Sequence, residues 1–275
     1  PTFNGQLQLL AGLKRKIIKI PADHQGIDLE RLEYFMQQGS AKLCLLTANF
    51  QNPLGYCLSN QQKQKIAELA QKYQCFVLED DIYAECSFQK ERPLPIRYWD
   101  QQGYVIWCGS VSKSLSSAYR VGWFCLGQQL QHLRPALLAN NVGVNTPLQL
   151  GLADFIYSRA YREHLERLRP ALMQQVEQYR ACILEQFQGI PIALSQSSGG
   201  YALWMQLPNT ITGLELYYRA QQYGINIVPG EVFGEDQRYK HFLRLNAGHA
   251  LTDEIRQAIQ QLADWVRESL TSKLS

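Results

Sequence analysis

The stretch CFVLEDDIY at residues 75–83 joins an apolar run to three consecutive carboxylates and a tyrosine. Farther along, the apolar run at 104–108 leads into GSVSKS at 109–114, where one lysine stands among small hydroxyl residues. Short β-rich runs of this kind are typical of buried strands. Because ligands bind at the carboxyl ends of strands in parallel α/β sheets, both loops are candidate site segments. An acidic strand end is equally typical of an ordinary solvated loop.

The first half of the chain alternates such runs with amphipathic helices. Strands are predicted at 17–20, 43–47, 75–78 and 104–108. Before the third of them, Ser59 and Gln62 form a capping-box pattern that predicts a crossover helix. The loop after residue 108 is too short for another crossover helix, so the strand at 121–126 is expected to return antiparallel. The pattern predicts an α/β fold with a mixed, mainly parallel sheet flanked by helices.

The second half of the chain has a different pattern. Apolar residues three or four apart from Leu165 to Phe187 predict one long helix, which Pro170 is expected to kink or to start afresh. Strands are predicted at 201–207, 225–228 and 242–246, with helices at 213–223 and after Thr252. We therefore predict a large domain at 1–165 and a smaller α+β domain at 166–275.

Composition limits the class of protein. With 275 residues, 46% of them hydrophobic, the chain can bury a substantial core. No apolar run is long enough for a membrane span or forms a signal peptide, so we expect a cytoplasmic protein with no membrane partner. The seven cysteines lack metal or redox spacing and fit core residues in a reducing compartment, and no metal site is predicted. The net charge of +3 is spread along the chain and does not suggest that these residues bind nucleic acid.

Several polar residues are suited to holding a ligand. Lys113 becomes a useful carbonyl nucleophile when partial burial or a nearby cation such as Arg120 favours its neutral amine. The neighbouring hydroxyls and Arg120 can together hold a phosphate. The segment Asn52-Pro53-Leu54-Gly55 follows another predicted strand and is otherwise a simple turn. Arg244 lies inside an apolar run and is either a structural residue or a bidentate clamp for a carboxylate.

In their order and approximate spacing, these segments resemble the motifs of fold-type I pyridoxal-phosphate enzymes, specifically the class I/II aminotransferases. The resemblance runs from Phe3 to the last helix and implies the PLP-dependent transferase fold, with pyridoxal 5'-phosphate as cofactor. In the family's N-P-x-G and D-x-x-Y motifs, the asparagine and tyrosine contact the phenolic oxygen of the cofactor and the aspartate pairs with its pyridine nitrogen. The lysine of S-x-S-K holds the cofactor as a Schiff base. The resemblance assigns these roles to Asn52, Tyr83, Asp80 and Lys113.

Further positions match the same family. Ser110 and Ser112 are the serines of S-x-S-K, and Arg120 stands seven residues after the lysine, where the family keeps a phosphate-binding arginine. Arg244 matches the arginine that grips the α-carboxylate of the substrate. The first five residues resemble P-x-Y-x-G and put Phe3 where an aromatic ring stacks on the pyridine, although phenylalanine lacks the usual hydroxyl.

The implied roles are chemically consistent with one another. An ionised Asp80 keeps the pyridine nitrogen protonated, so that the ring withdraws electrons from the reacting carbon. Lys113 is first the tether of the cofactor and then the base that removes the α-proton of the substrate. Arg244 orients the amino acid by its carboxylate, and Gly199-Gly200 let the backbone approach it.

The start at Pro1-Thr2-Phe3 suggests a fragment, because the family places a phosphate-binding turn and helix N-terminus upstream of P-x-Y-x-G. We therefore expect the N-terminal part of the fold to be missing and the chain as given to hold cofactor weakly and to be inactive. The resemblance also implies a homodimer and an amino acid or amine as ligand.

Two kinds of parent protein carry such a domain. The segment from Leu148 to Arg169 is most similar to GntR/MocR-type transcription regulators, in which an upstream winged helix binds DNA and the aminotransferase-like domain senses cofactor or an amine. The alternative is a free-standing aminotransferase, similar to the aminoadipate and kynurenine group, that acts on an amino acid and a 2-oxo acid. A third interpretation is an α/β protein without cofactor.

Overall fold

The computed structural model describes residues 1–140, 143, 145–234 and 237–271. The chain opens with helix α1 (Asn4–Gly12), the short strands β1 (Ala22–Asp23) and β2 (Gly26–Ile27), and helix α2 (Leu29–Gln37). There follow β3 (Leu43–Leu46), α3 (Asn60–Lys72), β4 (Phe76–Asp80), β5 (Val105–Ser110) and β6 (Gly122–Cys125). The helices α4 (Arg134–Asn140), α5 (Thr146–Tyr157) and α6 (Arg159–Gln186) come next. The remaining elements are β7 (Ala193–Leu194), β8 (Ala202–Gln206), α7 (Gly213–Gln221), β9 (Val228–Pro229), β10 (Phe242–Asn246) and α8 (Asp253–Thr271).

The first sheet has the strand order β3-β4-β5-β6. Its first three strands are parallel, and β6 returns antiparallel to β5. The crossover helix α3 begins at the predicted capping box, in which Ser59 Oγ accepts from the Gln62 backbone N–H (3.2 Å) and Gln62 Oε1 accepts from the Ser59 N–H (2.9 Å). The predicted mixed, mainly parallel sheet is confirmed.

Two features at the start of the chain differ from the prediction. Residues 17–20, predicted as a strand, form an irregular segment, and only their half-buried Ile20 packs against the core of the first sheet. A β-strand needs a neighbouring strand for its backbone hydrogen bonds, and an apolar run alone does not provide one. The strand prediction at 17–20 was therefore wrong. Helix α1 was not predicted, because it buries none of its residues and has no side-chain cap.

The second sheet is antiparallel, with the order β7-β8-β10-β9. The long helix α6 runs through Pro170 without starting afresh, because Leu165 and Leu172 are buried on either side of the proline and hold one continuous helix. The predicted boundary between 165 and 166 lies inside α6, and the division at that point stays a prediction. In the described part of the chain, no helix combines the length and apolar composition of a membrane span.

Two main clusters of buried side chains hold the fold together. The first lies between the first sheet and α2 and α3 and includes Leu32, Ile66 and Val77. The second lies between the second sheet and α6, α7 and α8, and it includes Ile183 and Leu203. Because α6 spans from the end of the first sheet to this second cluster, it connects the two halves of the structure.

Glu79 joins β4 to the turn that precedes β5. Its fully buried carboxylate accepts hydrogen bonds from the backbone N–H groups of Ile96 (2.8 Å) and Arg97 (3.1 Å). Burial, together with the nearby Asp81, raises the pKa of Glu79 from 4.5 to about 7 despite these two bonds. The ionised carboxylate is therefore held at a cost to folding.

Replacing Glu79 with Gln tests this cost. Because the pKa of Glu79 is higher in the folded state than in the unfolded state, its contribution to stability is full below about pH 4.5 and is lost as the pH rises through about 7. The loss amounts to roughly 3 kcal/mol, and Glu79→Gln removes it. As the pH rises through this range, urea denaturation should show the free energy of unfolding of the variant increasing relative to that of the wild type. If the difference between the two free energies did not change with pH, the raised pKa of Glu79 would be contradicted.

Candidate active site at the edge of the first sheet

The two loops singled out by the sequence lie side by side. β4 pairs with β5 in parallel, with Asp80 opposite Cys108, so the loops after both strands leave the same edge of the sheet. Lys113 Nζ lies 5.4 Å from the centre of the Tyr83 ring, and its charge acts on the Asp80 carboxylate. The structure therefore brings Asp80, Tyr83 and Lys113 together.

The three consecutive carboxylates have different surroundings. Asp81 accepts hydrogen bonds from Asn49 Nδ2 (2.7 Å) and Trp107 Nε1 (2.8 Å) and forms an ion pair with Arg92. With Glu79 bound to backbone N–H groups, both of these carboxylates have structural partners. Asp80 is the one of the three that lies beside Lys113 and Tyr83.

The Asp80 carboxylate is half-buried and hydrogen-bonded at both oxygens. Oδ2 accepts from Gln6 Nε2 (2.9 Å), and Oδ1 accepts from the backbone N–H of Ile82 (3.4 Å). Burial raises the pKa of Asp80, and Asp81 adds to this rise. The Ile82 N–H, the Gln6 amide and the charge of Lys113 oppose it.

Tyr83 presents a protonated phenol to the site. Its ring is buried and meets the Tyr201 ring edge to face, with the two centres 5.5 Å apart. Burial raises the pKa of Tyr83 to about 12, although the charge of Arg244 acts in the opposite direction. Burial also raises the pKa of Tyr201. Tyr201 was missed by the sequence analysis, and its position directly after Gly199-Gly200 is the signal that could have found it.

Asn52 and Arg244 are buried polar residues with unused hydrogen-bonding atoms. Asn52 Oδ1 and Arg244 Nε have no hydrogen-bond partner among the residues that the structure describes. Arg244 lies on β10 between Trp204 and Val228, with its guanidinium 5.9 Å from the centre of the Phe233 ring, and burial lowers its pKa. Buried polar atoms are normally paired, so these two are suited to partners supplied by a ligand.

The residues predicted to hold the phosphate and to stack on the ring form fewer contacts with one another. Ser110 Oγ and Ser112 Oγ are 2.8 Å apart, and Ser110 Oγ also contacts the Val121 carbonyl (2.8 Å). Arg120 is exposed, with a left-handed backbone (φ 53°), and in the described part of the chain no hydrogen bond joins it to either serine. Phe3 is 45% exposed at the start of α1. Gln6, one turn farther along, was not predicted, because nothing in a lone helical glutamine indicates a distant carboxylate.

Gly199 packs where any side chain would collide. A Cβ at this position would lie 2.5 Å from carbons of the Phe50 ring. Next to it, the Gly200 N–H donates to the Cys86 carbonyl (2.9 Å), and Ser197 Oγ donates to the Gly55 carbonyl (2.9 Å). This glycine pair therefore fastens the second half of the chain to the loops at 50–55 and 83–86.

The substitution Gly199→Ala is expected to lower the free energy of unfolding by about 1–3 kcal/mol, because the added methyl group overlaps the Phe50 ring. Gly151→Ala is the matched control, since a Cβ there meets nothing within 4 Å and Gly151 lies in the interior of α5. We expect that control to be neutral or to stabilise by about 0.5–1 kcal/mol. Equal stability of the two variants in chemical denaturation would rule out the close packing at Gly199.

Comparison with known proteins places this chain in a family. Residues 1–262 match the family described as Aminotransferase class I and II. Two proteins of Escherichia coli strain K12, both described as uncharacterized HTH-type transcriptional regulators, match 98% of the chain: YdcR is 33% identical and YjiR is 31% identical. The chain spans 58% and 57% of the length of these relatives.

Among solved structures, kynurenine aminotransferase from Pyrococcus horikoshii, in complex with PMP and kynurenine, covers 98% of this chain and is itself covered to 68%. It has a TM-score of 0.86 and 27% sequence identity. The fold is thus that of the PLP-dependent aminotransferases. The chain belongs to the aminotransferase class I and II family.

Proposed function

We propose that this chain is a pyridoxal-phosphate-binding domain that senses the cofactor, or an amine bound with it, for a GntR/MocR-type transcription regulator. The observation that carries the proposal is the placement of Lys113 over the Tyr83 ring, close enough to Asp80 for its charge to act on that carboxylate. A lysine, an acidic residue and a protonated phenol lie together at the carboxyl ends of two neighbouring strands. These are the groups that a pyridine aldehyde needs from a protein.

The residues of the site fit this cofactor. Asp80 would pair with the pyridine nitrogen, and Tyr83 and Asn52 would contact the phenolic oxygen. Asn52 Oδ1, which is buried without a partner among the described residues, would accept a hydrogen bond from a phenolic oxygen that carries its proton. Ser110, Ser112 and Arg120 would hold the phosphate, with the adjacent serine hydroxyls 2.8 Å apart. Phe3 would stack on the ring.

When bound, the cofactor supplies an electron-withdrawing ring that stabilises negative charge on the carbon next to the amine. Asp80, in its ionised form, keeps a proton on the ring nitrogen. Lys113 Nζ would hold the cofactor and, once the incoming amine has displaced it, would take the proton from the α-carbon of an amino acid. Arg244 Nε, which is buried without a partner in the described part of the chain, is available to bind an α-carboxylate.

The regulator is favoured over the enzyme by the pattern of relatives. Two regulators are 33% and 31% identical to the chain, whereas the kynurenine aminotransferase is 27% identical over a similar span. In this proposal, DNA is contacted only through a domain that this chain does not contain, and the protein acts as a homodimer. The alternative is a free-standing aminotransferase, which the TM-score of 0.86 to a kynurenine aminotransferase supports.

Two measurements on the complete gene product distinguish these proposals. A regulator should bind a specific promoter with a strong salt dependence, and pyridoxal phosphate should change that binding. An aminotransferase should instead turn over amino donors with a 2-oxo acid. Turnover without promoter binding would reject the regulator.

In the complete gene product, Lys113→Ala should abolish the visible absorbance band that pyridoxal phosphate gives when it is bound covalently to a lysine. Lys113→Arg should do the same, because it keeps the positive charge but not the nucleophilic amine. Lys90→Ala is the matched control, since Lys90 is an exposed lysine outside the site. The band should be unchanged in this control, and a band that persists in both Lys113 variants would overturn the assignment.

Arg244→Gln should weaken the binding of an amino acid to the cofactor-loaded protein by about ten- to a hundredfold, because a charge-assisted pair with the α-carboxylate is lost. The binding of a simple amine without a carboxylate should change little, and this makes the amine the internal control. Titrations followed by the change in the visible spectrum give both values. An equal loss for both ligands would show that Arg244 is structural.

A further inference from the structure

Helix α1 reaches the site through one side chain. Gln6 Nε2 donates to Asp80 Oδ2 (2.9 Å) across 74 positions of sequence, although α1 buries none of its own residues. The helix is therefore not placed by an apolar face. Because α1 has no buried face, other contacts must hold it in the position from which Gln6 reaches Asp80.

Two hydrogen bonds supply those contacts just before α1. The Thr2 N–H donates to the carbonyl of Phe233 (2.9 Å), the residue whose ring lies under Arg244. Gln51 Nε2 donates to the carbonyl of Pro1 (3.0 Å), immediately before Asn52. The segment is thus tied to both sides of the candidate site, which fixes where Gln6 stands relative to Asp80.

The charges around Asp80 oppose one another. Burial and the neighbouring Asp81 favour a protonated Asp80, whereas Lys113 favours the ionised form. The charge of Asp80 also acts on Tyr83 and on Cys108, which lies on the adjacent strand β5. A neutral amide donor such as Gln6 stabilises the carboxylate without adding another charge to this group.

We propose that Gln6 is a positioning residue that orients the Asp80 carboxylate and keeps it ionised through its amide hydrogen bond. The inference rests on the proposed function for its purpose, because an ionised Asp80 is what would keep a proton on the pyridine nitrogen. With Oδ2 engaged by Gln6 and Oδ1 by the Ile82 N–H, the plane of the carboxylate is set before any ligand arrives. Gln6 then acts on the cofactor only through Asp80.

Two substitutions of Gln6 separate the effect of the amide from that of the helix. Gln6→Glu has nearly the same shape but replaces the donor with a second carboxylate. Gln6→Leu removes the donor and keeps an uncharged side chain. Gln8→Leu is the matched control, because Gln8 is an exposed glutamine on the same helix. All three should fold, since α1 buries no side chain.

The first readout needs no cofactor. Carbon-13 NMR titration of the aspartate carboxyl groups, with Asp80→Asn used to assign the Asp80 signal, should show a higher Asp80 pKa in Gln6→Leu than in the wild type. The pKa should be higher still in Gln6→Glu, because two carboxylates then compete for one site. Gln8→Leu should match the wild type. An Asp80 pKa that is the same in the wild type and both Gln6 variants would overturn the inference.

The second readout is the dissociation constant of pyridoxal phosphate. Gln6→Leu should weaken binding by about three- to tenfold, as expected when one hydrogen bond is lost, and Gln8→Leu should not. If the complete wild-type gene product bound no pyridoxal phosphate, the proposed function would fail, and the titration would still decide whether Gln6 controls Asp80. If the wild type bound it and Gln6→Leu bound it equally well, the inference would fail while the proposed function stood.

Discussion

The parallel pairing of β4 with β5 is the constraint on which the site depends. Because Asp80 stands opposite Cys108, the loops that carry Tyr83 and Lys113 leave the same edge of the sheet. The antiparallel strand β6 packs closely against the end of β5. Ser110 pairs with Gly122, and a Cβ at Gly109 would lie 2.4 Å from the Trp123 indole. The backbone pairing of the strands thus determines where Tyr83 and Lys113 lie.

Helix α6 connects these loops to the second half of the structure. His164 Nε2 contacts the carbonyl of Ser114 (2.6 Å), directly after Lys113, and Arg169 pairs with Glu85, two residues after Tyr83. Farther along, α6 packs in the apolar cluster that supports the sheet containing Arg244. One helix therefore sets the distance between the lysine loop and the strand of the arginine.

Much of the architecture could be predicted from local patterns. The strands β3, β4, β5 and β10 and the start of α3 follow from apolar runs and a capping box, which are short-range signals. The same signals failed at 17–20, where apolar residues found no strand to pair with, and at α1, whose position is set by distant polar contacts. For the same reason, Gln6 could not be placed in the site, because its contact with Asp80 joins segments 74 positions apart in sequence. Three consecutive carboxylates look alike in a sequence, and only the fold separates Asp80 from its structural neighbours.

The central claim is that Lys113 is the residue that binds pyridoxal phosphate, and chemical trapping tests it most directly. The complete gene product is incubated with the cofactor and reduced with borohydride, which makes the bond to the lysine permanent, and its peptides are mapped by mass spectrometry. The account predicts a phosphopyridoxyl group on Lys113, within the segment GSVSKS at residues 109–114. A modification at another lysine in its place, or none at all on a folded protein, would contradict the account.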